Sequence, residues 1–257
     1  MVEYAVRGAS IEQVQPFGFD RGPIGCVLLH GFTAAPKEMQ PLGRYLADRD
    51  FTVRGVQLVG HGTCPEDLAR TTQREWVASA DAAIDELRGR CRQVWAIGLS
   101  LGGLISLHLA ANQRVDGVIA LAPPILTPNR LVPLARFIAP FKSYFVKGLA
   151  NLHDPAALAE HADYTHFPTR AVAQMYTLIR QVQRELPQIT VPLMLIHARH
   201  DEVVALDGAD YIWSRVSAGQ KERVVLERGG HIITEDYDKD AAFEQIGSFL
   251  AKHSRPL

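Results

Sequence analysis

A serine flanked by glycines at an abrupt turn is the feature that most constrains this chain. An apolar run at residues 94–97 turns at Gly98 and continues into a helical pattern over Leu101–Ala111, with Ser100 at the corner. Glycine on both sides of the serine indicates a strained backbone, where a side chain would strike the neighbouring strand or helix. The arrangement predicts a hydroxyl held clear of a sheet, beside N–H groups at a helix start that stabilise an oxyanion. The alternative is a glycine-rich turn with an incidental serine.

Short apolar runs alternate with helical patterns along most of the chain. Six runs are typical of strands buried on both faces of a parallel sheet, at residues 26–30, 51–56, 94–97, 116–121, 192–197 and 222–226. Helical patterns separate them, and Thr72 and Glu75 have the spacing of a capping box that begins one helix. This alternation predicts an α/β fold with a mostly parallel central sheet flanked by helices. We expect one or two edge strands in residues 1–15 and a turn in residues 16–23, which are rich in glycine and proline.

The alternation breaks between residues 123 and 187, a segment longer than an ordinary crossover connection. A chain of 257 residues is long enough for one large α/β domain with an insertion. We therefore predict three parts: residues 1–122 as the first part of the core, residues 123–187 as a small helical cap, and residues 188–257 as the second part of the core.

The chain supplies partners for a nucleophilic serine. Ligands of parallel sheets bind beyond the carboxyl ends of the strands, where Ser100 and the loops 30–33 and 60–62 are expected to meet. A serine hydroxyl needs a base within hydrogen-bond reach, and the base needs a carboxylate to orient it. His231 follows the last strand in a Gly-Gly-His loop, and Asp201 follows the strand before it. These positions predict His231 as the base and Asp201 as the acid.

Other titratable residues are alternatives or structural neighbours. Glu202 and Asp207 are fallback acids, although an acidic residue at Asp207 also suits the start of a helix. His197 and His200 are expected to be structural neighbours of the acid loop. Four further histidines are expected on the surface: His153, His161, His166 and His253.

An oxyanion requires two backbone donors near the serine. The N–H of Leu101 follows the nucleophile directly, and the N–H of Phe32 follows the first central strand in the loop 30–33. Loss of one such donor typically costs about 3–4 kcal/mol of transition-state stabilisation.

Five separated motifs carry a family resemblance: HGFT at 30–33, GHG at 60–62, GLSLGG at 98–103, ARHDE at 198–202 and GHIIT at 230–234. Over about residues 27–249 the chain resembles the bacterial carboxylesterase and monoacylglycerol lipase family of α/β-hydrolases. The resemblance implies Ser100 as nucleophile, Asp201 as acid and His231 as base, with oxyanion donors at Phe32 and Leu101. It also implies a small helical cap over the site, and neither a metal nor an organic cofactor.

The resemblance implies a serine hydrolase that cleaves carboxylic esters through an acyl-enzyme intermediate. Short- to medium-chain esters are expected, with monoacylglycerols as a further option, although Thr165 stands where some monoacylglycerol lipases carry a glutamate. A thioesterase, a carbon–carbon bond hydrolase and a slow-turnover ligand receptor are the alternatives. The turn at residues 98–103, which we call the elbow, carries a serine. Epoxide hydrolases and haloalkane dehalogenases use aspartate there, so the serine argues against those two activities.

The predicted cap is basic and apolar. Residues 117–153 contain no Asp or Glu. Positive charge comes from Arg130, Arg136, Lys142 and Lys147, and the expected acyl-pocket residues are Phe137, Ile138, Phe141 and Phe145. We expect the basic rim to make weak contact with lipid aggregates or a membrane surface. The alternative is a helix with a buried apolar face and cations that extend to solvent.

Composition limits the binding partners and the cellular compartment that we expect. A net charge of −1 gives no case for a nucleic-acid partner. The three cysteines form neither a metal-ligand spacing nor an even disulfide set, and the sequence shows neither a signal-peptide pattern nor a membrane-length apolar run. We therefore expect a cytoplasmic enzyme.

Overall fold

A central sheet organises the part of the chain that the computed structural model describes, residues 14–127, 129 and 131–254. Its seven strands are β1 (Phe17–Phe19), β2 (Ile24–Leu29), β3 (Thr52–Val56), β4 (Gln93–Leu99), β5 (Gly117–Leu121), β8 (Leu193–Ala198) and β9 (Lys221–Leu226). A separate two-stranded sheet is formed by β6 (Tyr144–Val146) and β7 (His166–Pro168). The edge strands expected in residues 1–15 fall almost entirely outside the described residues.

The described α-helices lie between successive strands, except for α9, which follows β9. They are α1 (Gln40–Ala47), α2 (Pro65–Leu68), α3 (Gln73–Arg88), α4 (Leu101–Ala111), α5 (Ala135–Ile138), α6 (Pro155–Glu160), α7 (Thr169–Glu185), α8 (Asp207–Trp213) and α9 (Lys239–His253). The predicted capping box begins α3, where the Thr72 N–H donates to Glu75 Oε2 at 2.8 Å. None of the helices in the described ranges is long and apolar enough to cross a membrane.

The strand order brings the predicted site loops to one edge of the sheet. The order is β1-β3-β2-β4-β5-β8-β9, with β1 antiparallel to β3 and the remaining neighbours parallel. Leu29 at the end of β2 pairs with Gly98, and Leu99 at the end of β4 pairs with Leu121. Ser100 therefore emerges between the loops that follow β2 and β5.

Two apolar layers cover the sheet, one on each face. Helices α3, α4 and α7 pack on one face around Trp76, Leu104 and Leu178, whereas α1 and α9 cover the other around Leu42 and Phe249. Successive residues of β2 alternate between these layers, because side chains of a strand point to opposite faces. Burial on both faces explains the continuous apolar runs in the sequence.

Two sequence expectations change in the structure. Residues 16–23, predicted as a turn, contain the edge strand β1; the ring of Phe17 packs so closely on β3 that a Cβ at Gly55 would lie 2.0 Å from it. The segment 123–187 is not purely helical, because it includes the two-stranded antiparallel sheet of β6 and β7. Its last helix, α7, buries Leu178 and Val182 in the core beside α4, so this helix is also a layer of the main fold.

Candidate active site

Ser100 stands on a strained turn between β4 and α4. Its φ is 54° and its ψ is −113°, a region that non-glycine residues rarely adopt. A Cβ at Gly98 would lie 2.1 Å from the Gly102 carbonyl carbon, and a Cβ at Gly102 would lie 2.1 Å from the Leu29 oxygen. Both glycines are therefore required sterically, and the collisions expected from the sequence are confirmed.

His231 and Asp201 form a closely bonded pair. The His231 Nδ1 lies 2.7 Å from Asp201 Oδ2, while Asp201 Oδ1 accepts the N–H groups of Val203 at 2.8 Å and Val204 at 2.7 Å. Burial raises the pKa of Asp201, but the His231 bond and the two N–H groups outweigh burial and hold the pKa below its ordinary value. A charged Asp201 accepts a hydrogen bond from the Nδ1–H of His231. The other ring nitrogen, Nε2, is then unprotonated and able to act as a base.

One cavity brings the predicted residues together. Ser100, His231 and Phe32 line a space of about 390 Å³, and Asp201 lies behind His231. Leu101 is the first residue of α4, so its N–H has no acceptor within the helix. We call this space the catalytic cavity after the predicted triad, and its remaining walls include Gly31, Glu38, Lys147, Asn151, Phe167, Met175 and Glu202. The fallback acid Asp207 instead begins α8.

The loop 30–33 is held from several sides. The Gly31 N–H donates to Glu38 Oε2 at 2.6 Å, and Lys147 Nζ donates to Thr33 Oγ1 at 2.8 Å. The ring of Phe32 stacks on Phe167, with centroids 5.8 Å apart and planes 7° apart. These contacts fix the backbone on which the Phe32 N–H is carried.

Buried histidines support the neighbouring loops. The Leu58 N–H donates to His30 Nε2 at 3.2 Å, so the proton of this ring is on Nδ1, which donates to the Gly31 oxygen at 2.9 Å. Burial lowers the pKa of His30 to about 4, which keeps the ring neutral. His197 is also fully buried, and burial lowers its pKa to about 4, in agreement with the structural role expected for it.

Two histidines expected on the surface are packed inward. His161 is 5% exposed and its Nδ1 lies 2.6 Å from Glu235 Oε2. Burial alone lowers the pKa of His161, but the bond to Glu235 and neighbouring carboxyl groups raise it overall. The ring of His253 packs against Phe249, with centroids 4.4 Å apart. Sequence position near an insertion or a chain end gave no sign of these tertiary contacts.

A second cavity of about 430 Å³ adjoins the catalytic cavity. The two share five lining residues: Phe32, Pro124, Phe167, Met175 and Val203. Further walls are apolar side chains from the insertion and α7, among them Leu126, Ala135, Phe145, Val172 and Ile179. We call this space the apolar chamber.

The structure brings one of the four expected acyl-pocket residues to the apolar chamber. Phe145 lines it, but Phe141 is 92% exposed, Phe137 is 58% exposed and faces a separate surface groove, and Ile138 lines neither cavity. Prolines on both sides restrict α5 to four residues, so its apolar side chains do not extend as one inward face. Part of the chamber wall comes instead from Val172, Met175 and Ile179 on α7.

Several residues near the site belong to none of the motifs recognised in the sequence. Glu38 is 2% exposed and lines the catalytic cavity, and burial raises its pKa to about 7. Tyr164 is buried, donates to the Gly60 oxygen at 2.9 Å and accepts the Thr63 N–H at 2.8 Å. Asn151 enters the site from the insertion. Among the described residues no cluster of His, Cys, Asp and Glu is arranged to hold a metal ion.

Comparisons with known proteins agree on one family. The family model Hydrolase_4, described as serine aminopeptidase, S33, matches residues 24–238. A thermostable monoacylglycerol lipase of Bacillus sp. (strain H-257) is 32% identical over 93% of this chain and 95% of that protein. A carboxylesterase of Bacillus subtilis (strain 168) is 28% identical over 93% of this chain and 96% of that protein.

Solved structures agree with the fold. A structure reported for the metagenome-derived lipolytic enzymes LipS and LipT superposes with a TM-score of 0.90 at 26% identity, covering 94% of this chain and 98% of that chain. The Paleococcus ferrophilus monoacylglycerol lipase superposes with a TM-score of 0.82 at 21% identity, covering 93% of this chain and 99% of that chain.

Proposed function

We propose that Ser100, His231 and Asp201 are the catalytic triad of this chain. The chain belongs to the Hydrolase_4 (serine aminopeptidase S33) family of α/β-hydrolases and is a serine hydrolase that cleaves esters. The observation that carries this proposal is the His231–Asp201 pair, bonded at 2.7 Å, beside a cavity that it shares with a serine on a left-handed turn. Among the described residues, Asp201 is the carboxylate that forms an ion pair with the His231 ring.

The proposed reaction has two acyl-transfer steps. His231 Nε2 takes the Ser100 proton as the hydroxyl oxygen attacks the ester carbonyl carbon, and Asp201 stabilises the resulting imidazolium. The N–H groups of Phe32 and Leu101 bind the tetrahedral oxyanion. His231 then protonates the departing alcohol, which leaves an acyl-enzyme on Ser100. A water molecule, deprotonated by His231 Nε2, attacks the acyl carbon. The bond from that carbon to Ser100 Oγ then breaks, and the imidazolium returns its proton to Oγ as the carboxylic acid leaves.

Replacement of the nucleophile tests the assignment. Ser100→Ala should reduce turnover of p-nitrophenyl butyrate by roughly 10⁴- to 10⁶-fold, because the covalent route is lost while the fold has no need of the hydroxyl. The measurement is steady-state kinetics together with fluorophosphonate labelling, which the variant should lose. Ser217→Ala, at an exposed serine bonded to the Pro187 oxygen, is the matched control. Near-wild-type turnover by Ser100→Ala would contradict the triad, and a single turnover by the wild type would favour a ligand receptor.

We propose that the acyl chain occupies the apolar chamber. The chamber shares walls with the catalytic cavity, and its side chains, including Phe145 and Met175, are mostly apolar. The alcohol then lies on the more polar side, near Lys147 and Glu38. Carboxylic esters with short to medium acyl chains fit this division. Monoacylglycerols are included because a relative that matches nearly the whole chain is named a monoacylglycerol lipase.

We propose a weak lipid-contact surface on the insertion. Large apolar side chains are exposed there, namely Leu131, Leu134, Phe137, Phe141, Val146 and Leu149. Arg136 and Lys142 supply adjacent positive charge. Lys147 does not belong to this rim, because it turns inward and pairs with Asp163 at 2.7 Å. Arg130 lies outside the described residues.

We also propose that the enzyme works in the cytoplasm. Its three cysteines, Cys26, Cys64 and Cys91, are free thiols, as is usual in a reducing compartment. Cell fractionation against a cytoplasmic marker checks the compartment.

A further inference from the structure

Residues 147–154 run from the end of β6 across the loops of the proposed triad, and we call them the strap. Within the strap, Asn151 Oδ1 accepts the His231 N–H at 2.7 Å and the Glu202 N–H at 3.2 Å. Glu202 follows Asp201 directly. One amide oxygen therefore bridges the backbone of the proposed base to the backbone next to the proposed acid.

The strap lies against the base loop at close range. A Cβ at Gly230 would lie 2.5 Å from the Asn151 carbonyl oxygen and 2.7 Å from its Oδ1, so a glycine is needed beside His231. A second tie is made by Asp236, which is 1% exposed and accepts the N–H groups of Gly230 at 2.7 Å and His153 at 2.9 Å. The Ile232 N–H donates to the Asn151 carbonyl oxygen at 3.4 Å, so the base loop is held against the strap on both sides of His231.

This geometry matters because the triad depends on small distances. The acid and the base come from loops after different strands, and a misplacement of about 1 Å can cost on the order of 100-fold in rate. Asn151 accepts the N–H of His231 itself and the N–H of the residue after Asp201, and leaving the buried His231 N–H without an acceptor is unfavourable. We infer that Asn151 is a positioning residue of the triad, which sets the separation of the Asp201 and His231 loops. The inference rests on the proposed function, since it takes those two residues as acid and base.

Asn151→Ala tests the inference because it removes the shared acceptor and nothing else from the bridge. We expect kcat for p-nitrophenyl butyrate to fall by about 10- to 100-fold, with KM within about threefold of wild type. Asn151→Asp keeps an oxygen at the same position, so it should recover most of the lost kcat. Asn112→Ala, at an exposed asparagine that caps the His108 carbonyl on α4, is the matched control and should leave kcat unchanged.

Inhibitor binding separates positioning from general stability. A trifluoromethyl ketone requires the assembled triad to form its covalent adduct, so Asn151→Ala should weaken its inhibition by the same factor as kcat/KM. Inhibition by a non-hydrolysable ether analogue of the substrate should change by less than threefold. All assays are run well below the melting temperature of each variant, which is measured by circular dichroism.

The outcomes distinguish this inference from the triad assignment. A folded Asn151→Ala with kcat within twofold of wild type overturns the inference while leaving Ser100→Ala as the test of the triad. A loss that Asn151→Asp does not recover, or that affects both inhibitors equally, also overturns it. Activity retained by Ser100→Ala would instead remove the proposed function itself.

Discussion

Glu38 is a carboxyl group enclosed beneath the loop 30–33. Its Oε2 accepts the Gly31 N–H, and the charged groups that influence it are His161, Glu235 and Lys147. Burial is the largest influence and raises the pKa of Glu38 to about 7, above the ordinary value of 4.5. The folded protein therefore holds this proton more tightly than the unfolded chain does. The stabilisation is fully present below about pH 4.5 and is lost as the pH rises through 7.

Glu38→Gln should separate this titration from the hydrogen bond. The amide oxygen still accepts the Gly31 N–H, but nothing at this position titrates. Relative to wild type, the free energy of unfolding of the variant should therefore increase by at most about 3 kcal/mol between pH 4.5 and pH 8. Urea unfolding at both pH values measures the change, with Glu160→Gln at an exposed residue of α6 as control. An equal difference at the two pH values would refute the prediction.

At the level of elements, α7 has two functions along its 17 residues. One side, with Leu178 and Val182, is fixed in the core beside α4. The other carries Val172 and Met175 into the apolar chamber. A chamber wall anchored in the core is expected to keep its shape. The fixed volume of the chamber should therefore set the longest acyl chain that the enzyme accepts.

Val172→Trp should shorten the acyl chains that the enzyme accepts. The indole ring of tryptophan is much larger than the valine side chain and fills part of the chamber. Val172 does not line the catalytic cavity, which should keep its shape. We expect kcat/KM for p-nitrophenyl decanoate to fall at least about 10-fold, since each excluded methylene forfeits about 0.8 kcal/mol of burial. The butyrate ester should change by less than threefold. Arg170→Trp, at an exposed residue of α7, is the control; an equal loss for both esters in Val172→Trp would place the acyl chain elsewhere.

For the molecule as a whole, the exposed apolar side chains are concentrated on the insertion, beside the chamber. Leu131 and Val146 line the chamber and are also 52% and 79% exposed, so the chamber wall continues onto the outer surface. A lipid aggregate docked there would lie next to the opening through which an acyl chain of its lipids would enter the chamber. This arrangement connects the proposed lipid contact to the proposed acyl site.

Phe141→Ser should weaken binding to anionic vesicles by about 10-fold, because the exposed ring would no longer enter the lipid interface. Turnover of soluble p-nitrophenyl butyrate should remain unchanged, since Phe141 lines neither cavity. Vesicle flotation measures the binding, and Tyr211→Ser on α8 is the control. Equal flotation of Phe141→Ser and wild type would exclude this residue from the contact.

The sequence predicts features whose causes are local. The elbow at Ser100 is readable because both of its glycines lie within two residues, and the strands are readable because both faces are apolar. The family inferred from the five motifs is confirmed by the comparisons. The triad roles stay a prediction, since they require kinetics.

Features that depend on tertiary contact escape sequence reasoning. Asn151 is 80 residues from His231 and 51 from Glu202, and no spacing rule connects such positions. The sequence predicts His161 on the surface because it lies in the insertion, and only folding brings it to Glu235. Phe141 is apolar by composition, but its exposure depends on how the short α5 ends.

The separation of Ser100 from His231 along the chain has a consequence during protein synthesis. The turn at Ser100 is synthesised long before the loop after β9, which carries the proposed base. At typical elongation rates of about 5–20 residues per second, the nascent polypeptide holds its serine for roughly 10 seconds before the base is translated. During that interval the hydroxyl is an ordinary alcohol, because nothing deprotonates it. With His231 as the proposed base, a polypeptide that ends before this loop is expected to show no turnover of esters.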